Sequence, residues 1–387
     1  MSDVHAYETA RLKETENRPS YMEISSAENA AENPFTALSE LIARESLSVD
    51  LLISGGDMGD KATPAAIQYT WGRIKQVQQS LKAPNLLAAT GNHDMDSRHR
   101  NGHDPRGMLQ NLPNYPFDDA ALNNEYWANN VVVQESAGVR SVLLNSSAYH
   151  GNDEEWRHGR ASARTREYLK RRLDATSDPG INLLVTHHQL YQIGNYDLGD
   201  KSHMAEAPAL LDLLGCGDYG HWLLVHGHRH WPNISYASGG RGSPVVFSAG
   251  SFSAVLWDEI QNSARNQFYI LEIEDTAPGN PIRGKYTAWD WVPARGFEPA
   301  QEGSGLSHRG GFGGYSTGAQ LAQKVREIFD REAQPFLSWT VLESEIDDLA
   351  YTLPSDFKAF IKNLKQVHDL DVLSIQGQPA QVGRTSA

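Results

Sequence analysis

The sequence predicts an α/β protein in which buried strands hand polar clusters to one edge of a sheet. Three observations lead there. Apolar runs at 51–54, 85–89, 181–185 and 223–225 each stop just short of a short polar motif, and runs of that length suit strands covered on both faces. Helical patterns at 65–81 and 165–173 precede the strands at 85 and 181, an alternation that indicates α/β layering. The motifs stand in one order: Asp3-Val4-His5, Gly56-Asp57, Gly91-Asn92-His93-Asp94, Thr186-His187 and Gly227-His228-Arg229-His230.

Each element has its own justification. Residues 5–33 form a long polar connection, expected to lie beside the site as a loop. Asn33-Pro34 starts a helix, with Asn as cap and Pro in the first turn, and Leu38, Leu41 and Ile42 make its apolar stripe. The strand at 51–54 follows and runs into Gly56-Asp57. The polar stretch 95–130 is an insertion at the substrate entrance, with Tyr115, Phe117, Tyr126 and Trp127 read as cover for a core edge. Residues 157–172 are basic and read as a solvated helix face. Strands at 245–248, 268–271 and 285–289 would complete a second sheet. Residues 303–318 are rich in Gly and Ser and read as the heart of a linker spanning 296–318; the lysine of a P-loop is absent there. Leu321, Val325, Ile328 and Phe329 keep helical spacing, and Phe357, Phe360, Ile361 and Leu364 line a second helix starting near Pro354. Residues 319–376 are thus expected to be a small helical appendage and 377–387 a disordered polar tail.

The motifs carry oxygen and nitrogen donors of the kind that hold hard or borderline divalent metals. Residues two apart on an extended segment point the same way, so Asp3 with His5, and His228 with His230, present paired donors. Strand carboxyl ends are where open α/β sheets place their sites. His188 and His226, next to these donors, are expected to point away. His99, His103, His150 and His158 are read as solvated-loop residues, ahead of the alternative that they approach the cleft as substrate contacts. Asp60 is left open between a cap for the helix after Thr63-Pro64 and an acid supporting the site.

As an ordered set, the motifs resemble the calcineurin-like metallophosphoesterase family, whose pattern runs D-x-H, G-D, G-N-H-D, H and G-H-x-H. The resemblance covers roughly the first two thirds of the chain and implies a metallophosphoesterase domain over 1–295, a two-sheet β-sandwich flanked by helices. It implies that one ion is held by Asp3, His5, Asp57 and His230, and a second by Asp57, Asn92, His187 and His228, with Asp57 bridging. His93 becomes a proton donor to the leaving oxygen or a partner for the pentavalent phosphorus, its ring oriented by Asp94. The implied cofactors are two divalent ions, with Mn, Fe and Zn suited to mixed imidazole and carboxylate cages. One departure stands out: only Met1 and Ser2 precede Asp3, so the family's first strand is missing. The expectation is a truncated gene model, the alternative being a frayed terminus that holds the first ion.

Composition narrows the function. A formal charge of -14 argues against a broad grip on nucleic acid. No apolar run approaches the roughly 18 residues of a membrane span. Cys216 is the single cysteine, so no internal disulfide forms, and a cytoplasmic home is expected. The leading expectation is a phosphoesterase that hydrolyses a small phosphodiester or phosphomonoester with water activated between two ions. The alternatives are a DNA-processing nuclease of the same family and a noncatalytic binding scaffold. The C-terminal helices are a candidate docking point for a protein partner.

Overall fold

Asn33 opens the first helix as its spacing predicts. In the computed structural model, which describes residues 1–97, 101–136, 138–150, 158–191, 203–237, 240–332, 334–375 and 377–384, its Oδ1 accepts hydrogen bonds from the amides of Phe35 and Thr36 at 3.0 and 3.2 Å. Two of the four orphan amides at that end of α1 (Pro34–Glu45) are thereby satisfied. Then come β1 (Leu51–Ser54), α2 (Pro64–Ser80), β2 (Asn85–Ala88), α3 (Pro105–Gln110) and α4 (Ala120–Asn129). A parallel-rich stretch follows with β3 (Val131–Ser136), β4 (Val139–Leu144), α5 (Ala163–Asp174), β5 (Ile181–Val185), α6 (Ala207–Gly215), β6 (Trp222–His226), β7 (Asn233–Tyr236) and β8 (Val245–Ser248).

The protein is α/β, with sheets flanked by helices. One sheet has the order β3-β4-β5-β6-β8-β7, parallel from β4 to β8 and antiparallel at both edges. Its central strands are apolar on both faces because both faces are covered. Leu184, Leu224 and Val246 pack outward against Leu169 and Leu173 of α5 and Leu210 and Leu214 of α6. Leu183, Val185, Leu223, Val225 and Phe247 turn inward, into a core shared with Leu52 and Leu87 of β1 and β2 and with Phe35, Leu38, Ile67 and Trp71 of α1 and α2. Each such buried side chain contributes about 1.5–3 kcal/mol. The second layer holds the parallel pair β1-β2 and a meander of β9 (Gln267–Ile273), β10 (Gly284–Val292), β11 (Gly296–Pro299) and β12 (Arg309–Phe312), all paired through β10. Tyr115, Phe117, Tyr126 and Trp127 are buried in the inner core, as core cover should be.

The first residues are neither frayed nor solvated. Amides of Asp3, His5 and Ala6 donate to the carbonyls of Gly56, Asp57 and Met58 at 3.0 Å each, and Gly55 donates to Met1 at 2.9 Å. Met1 to Tyr7 are all buried. The polar connection that follows is pinned as well: Ser20 Oγ, fully buried, donates to the Val4 carbonyl at 2.7 Å. This hydrogen bonding replaces the frayed start allowed for by the sequence.

The C-terminal third departs most from expectation. Residues 296–318 contain β11 and β12, both paired with β10, where a linker was expected. Gly311 permits contact and not flexibility: a Cβ there would sit 2.2 Å from the Ala350 carbonyl oxygen. The appendage is also not wholly helical. After α7 (Gly318–Glu332) come β13 (Phe336–Ser338), α8 (Trp339–Glu345), a 3-10 turn at Asp347–Tyr351, α9 (Pro354–Val367), β14 (Leu370–Ile375) and β15 (Gln378–Arg384). The three strands form their own sheet in the order β13-β15-β14, so the expected disordered tail is a paired strand through Arg384. A separate core of Leu321, Val325, Phe329, Leu342, Phe360, Leu364 and Val382 holds the unit together. It joins the larger part through Arg241–Asp356 at 2.7 Å, the Tyr236 hydroxyl on the Gly314 carbonyl at 2.8 Å, and the Arg283 guanidinium 4.3 Å over the Tyr351 ring. Among the described residues no helix is long and apolar enough to cross a membrane.

Candidate metal centre

Every motif after the first sits just past a strand. Asp57 follows β1, Asn92 and His93 follow β2, His187 follows β5, and His228 and His230 follow β6. Asp3 and His5 lie against the Gly56–Asp57 turn. Side chains leaving strand ends do not converge unless the chain curls at once, and it does. Asp3, His5, Asp57, His228 and His230 have φ of 55, 50, 56, 73 and 53°, in the left-handed region that ordinary residues enter at a cost of about 1–2 kcal/mol each. Gly91 makes room for this, since a Cβ there would lie 2.1 Å from Asp57 Oδ1.

The structure brings the seven sequence-picked donors together. His5 Nε2 lies 3.1 Å from His230 Nε2 and 3.3 Å from Asp57 Oδ2, and His230 Nε2 lies 3.4 Å from Asp3 Oδ1. On the other side, His187 Nε2 lies 3.3 Å from Asp57 Oδ2 and 3.0 Å from Asn92 Oδ1, while His228 Nδ1 is 3.0 Å from Asn92 Oδ1. Two groups of donors therefore share one oxygen, Asp57 Oδ2. Neighbouring donors on an ion bound at about 2.1 Å lie about 3.0–3.4 Å apart, for octahedral to tetrahedral angles. The separations fit that spacing.

Tautomers sharpen the fit. His187 Nδ1 donates to the Gly55 carbonyl at 2.7 Å, so in the neutral ring the Nε2 lone pair faces two oxygen acceptors. Electron pairs converge there, and a proton or a cation is needed between them. Burial works against charge on His187, yet Asp57 and its hydrogen bond raise the imidazolium to about 9: a proton stands where a cation fits. Burial lowers His5 to about 4 and holds His228 well below the ordinary value, leaving both rings neutral and able to ligate. Burial opposes ionisation of Asp3, but His230 brings it down to about 2; His187 and His93 likewise outweigh burial and hold Asp57 well below the carboxylate range.

His93 is oriented differently from the sequence expectation. Its Nδ1 faces Asp60 Oδ1 at 3.1 Å, so Asp60, and not Asp94, sets the ring. Asp94 instead accepts from the amides of Asp57, Met58 and Gly91 at 2.9, 2.7 and 2.8 Å. It ties the two loops that carry Asp57 and Asn92, because its fully buried carboxylate lies under the turn and not beside the imidazole. The His93 amide donates to Asp57 Oδ1 at 2.7 Å, leaving Oδ2 for the shared position. Burial disfavours the His93 imidazolium, but Asp57 and Asp60 outweigh it and raise its pKa.

Other groups escaped the sequence reading. His188 was expected to point away, yet a ring nitrogen lies within 4.8 Å of ligand atoms of His187 and His228. His150 is buried, with Nδ1 at 2.7 Å from Ser97 Oγ, where a solvated loop was expected. The signal was its position shortly after β4, another strand carboxyl end. The His230 ring lies 5.0 Å from that of half-exposed Trp257. His226 turns to the Gly227 carbonyl at 3.0 Å, and neither His103 nor His158 joins a donor group among the described residues. His99 and Arg157 lie outside the described residues.

Comparison with known proteins adds the following. The family description wHTH-Calcineurin_assc, a winged helix-turn-helix associated with calcineurin-type domains by its name, matches residues 310–366, the segment from β12 into α9. No curated protein is similar enough to this chain to match it. Among solved structures, a purple acid phosphatase, PPD1, from yellow lupin (Lupinus luteus) seeds is similar with a TM-score of 0.45 at 13% identity, over 76% of this chain and 51% of that one. The phosphopantetheinyl hydrolase PptH from Mycobacterium tuberculosis gives 0.32 at 14% identity, over 55% and 85%. PhoD gives 0.42 at 10% identity, over 72% and 66%. The chain spans about half the length of the lupin structure it matches.

Proposed function

We propose that this chain is a metal-dependent phosphoesterase acting on small phosphodiesters or phosphomonoesters. The observation that carries the reading is the sharing of Asp57 Oδ2 between two groups of donors, with His93 at their edge. Asp3, His5, Asp57 and His230 would hold one ion, and Asp57, Asn92, His187 and His228 the other. When bound, two such ions polarise a phosphoryl oxygen and lower the pKa of water for in-line attack. Manganese, iron and zinc all suit the donors.

The chain's own residues supply the rest. Asp57 has an oxygen at 3.3 Å from a donor of each group and is positioned to balance both charges. His93, protonated and braced by Asp60, donates its proton to the leaving oxygen. Asp94 holds the two loops at the spacing the donors need.

The test is turnover of bis-p-nitrophenyl phosphate and p-nitrophenyl phosphate by the full chain, stripped of metal and then supplied with manganese. Activity that appears with metal and vanishes with chelator is expected; metal-loaded protein inert on both esters would overturn the reading. One observation favours a second substrate class. On α9, Lys358, Lys362 and Lys365 are exposed at helical spacing, as on the groove-reading helix of a helix-turn-helix unit. Cleavage of DNA, lost when all three become Ala while the small-ester rate stays, would mark a nuclease instead.

A further inference from the structure

We propose that His188 supplies an additional nitrogen to the second ion, beside Asp57, Asn92, His187 and His228; the inference rests on the two-ion reading above. It starts from a repeated arrangement. A histidine that ligates a metal usually has its other ring nitrogen fixed by a neighbouring group. His187 shows this, with Nδ1 on the Gly55 carbonyl and Nε2 toward Asn92. His188 repeats it: Nδ1 lies 2.8 Å from Ser146 Oγ, which also accepts from the His188 amide at 3.3 Å.

What remains is Nε2, which is buried and has no hydrogen-bond partner on a residue with 0% exposure. A buried ring nitrogen left unpaired is costly, and among the described residues none relieves it. Its surroundings are those of the second ion. The His188 ring centroid lies 4.5 Å from that of His228 and 5.0 Å from that of His187. One of its nitrogens is within 4.8 Å of ligand atoms on both. Donors on opposite sides of an ion bound at about 2.1 Å stand about 4.2 Å apart, a separation that falls within that 4.8 Å limit. His150, 5.1 Å away and itself anchored by Ser97, backs the ring.

The consequence is chemical. Three imidazoles with one carboxylate and one amide oxygen make a nitrogen-rich set, which favours borderline first-row ions over magnesium or calcium. The first position, with two imidazoles and two carboxylates, is harder. The two sites are thus unlike, and the second is the nitrogen-selective one.

Titration of the metal-stripped full chain with cobalt(II), followed by calorimetry and visible absorption, tests this. Wild type takes up two equivalents. His188→Asn, which keeps a polar group of similar size beside Ser146, and His188→Ala should weaken one equivalent by about 10–100-fold and change its absorption band, leaving the other equivalent as it was. Both equivalents retained with wild-type affinity and spectrum overturn the assignment. If neither variant gives a folded melting transition, Ser146→Ala decides: it keeps the imidazole but frees Nδ1, and an unaltered affinity and band there overturn the assignment too. Fewer than two equivalents in wild type would instead sink the two-ion reading itself.

Discussion

The donor cluster and the C-terminal unit are built by opposite means. At the cluster, buried charge and left-handed backbone are concentrated on a few residues: Asp3 and Asp57 are 0% and 1% exposed, and both have positive φ. The C-terminal unit is an ordinary apolar core, with Leu321, Phe360, Leu364 and Val382 at 0% exposure, and its attachment relies on close backbone contact at Gly311. The first is specified by chemistry and the second by packing. Changes in one should therefore alter ion content with little loss of fold, and changes in the other the reverse.

The sharpest way to break that contrast is Asp57→Asn. Asparagine tolerates the left-handed conformation, so the turn should survive while both ions lose their shared anion. Turnover should fall by about 10³-fold or more and metal content by mass spectrometry toward zero, with the thermal transition of the C-terminal unit in place. Phe360→Ala is the counterpart. Emptying that core should cost the unit about 3–5 kcal/mol, read by denaturant unfolding, with two ions still bound. If it strips the ions as well, the two regions are not independent.

His93→Ala should lower kcat by about 10²-fold and keep metal; a metal-free His93→Ala protein would contradict its assignment as proton donor. pH sharpens the same point. The His93 pKa is raised in the folded protein, so a proton donor there works at low pH and fails as pH rises through that raised value, above the ordinary 6.5. Asp60→Asn removes a raising charge, and the alkaline limb of the rate profile should move to lower pH; an unmoved limb separates Asp60 from the proton. Smallest is Gly311→Ala, whose Cβ meets the Ala350 carbonyl. It should loosen the docking by about 1–3 kcal/mol, seen as faster amide exchange at Tyr351, with turnover unchanged.

The same contrast explains what the sequence could and could not tell. Convergence of Asp57, Asn92, His187, His228 and His230 was legible because each donor stands just after an apolar strand, and strand ends share one edge; Asp3 and His5, with no strand before them, were legible only through the ordered set of motifs. The partner of His93 was not, since Asp60 and Asp94 are both acids within a few residues of a motif, and only the turn geometry separates them. His188 was misread because alternation holds along a strand and stops at its last residue, and His150 because a polar segment can fold back and be buried. Gly303 to Gly318 suggested a linker because composition cannot distinguish a glycine chosen for freedom from one chosen for lack of bulk. The polar segment ending at Arg384 suggested disorder because its order comes from ladder hydrogen bonds to β13 and β14, which leave no trace in hydropathy.

The curl of the main chain at Asp3, His5, Asp57, His228 and His230 is held by the protein's own hydrogen bonds, the Asp3 and His5 amides donating to the Gly56 and Asp57 carbonyls and the His228 amide to Asp3 Oδ1, each at 3.0 Å. A receptacle shaped beforehand grips incoming ions by size and donor type and cannot mould itself to the wrong one. Loading should therefore be fast and leave the protein's outline unaltered, as with a key entering a lock already cut.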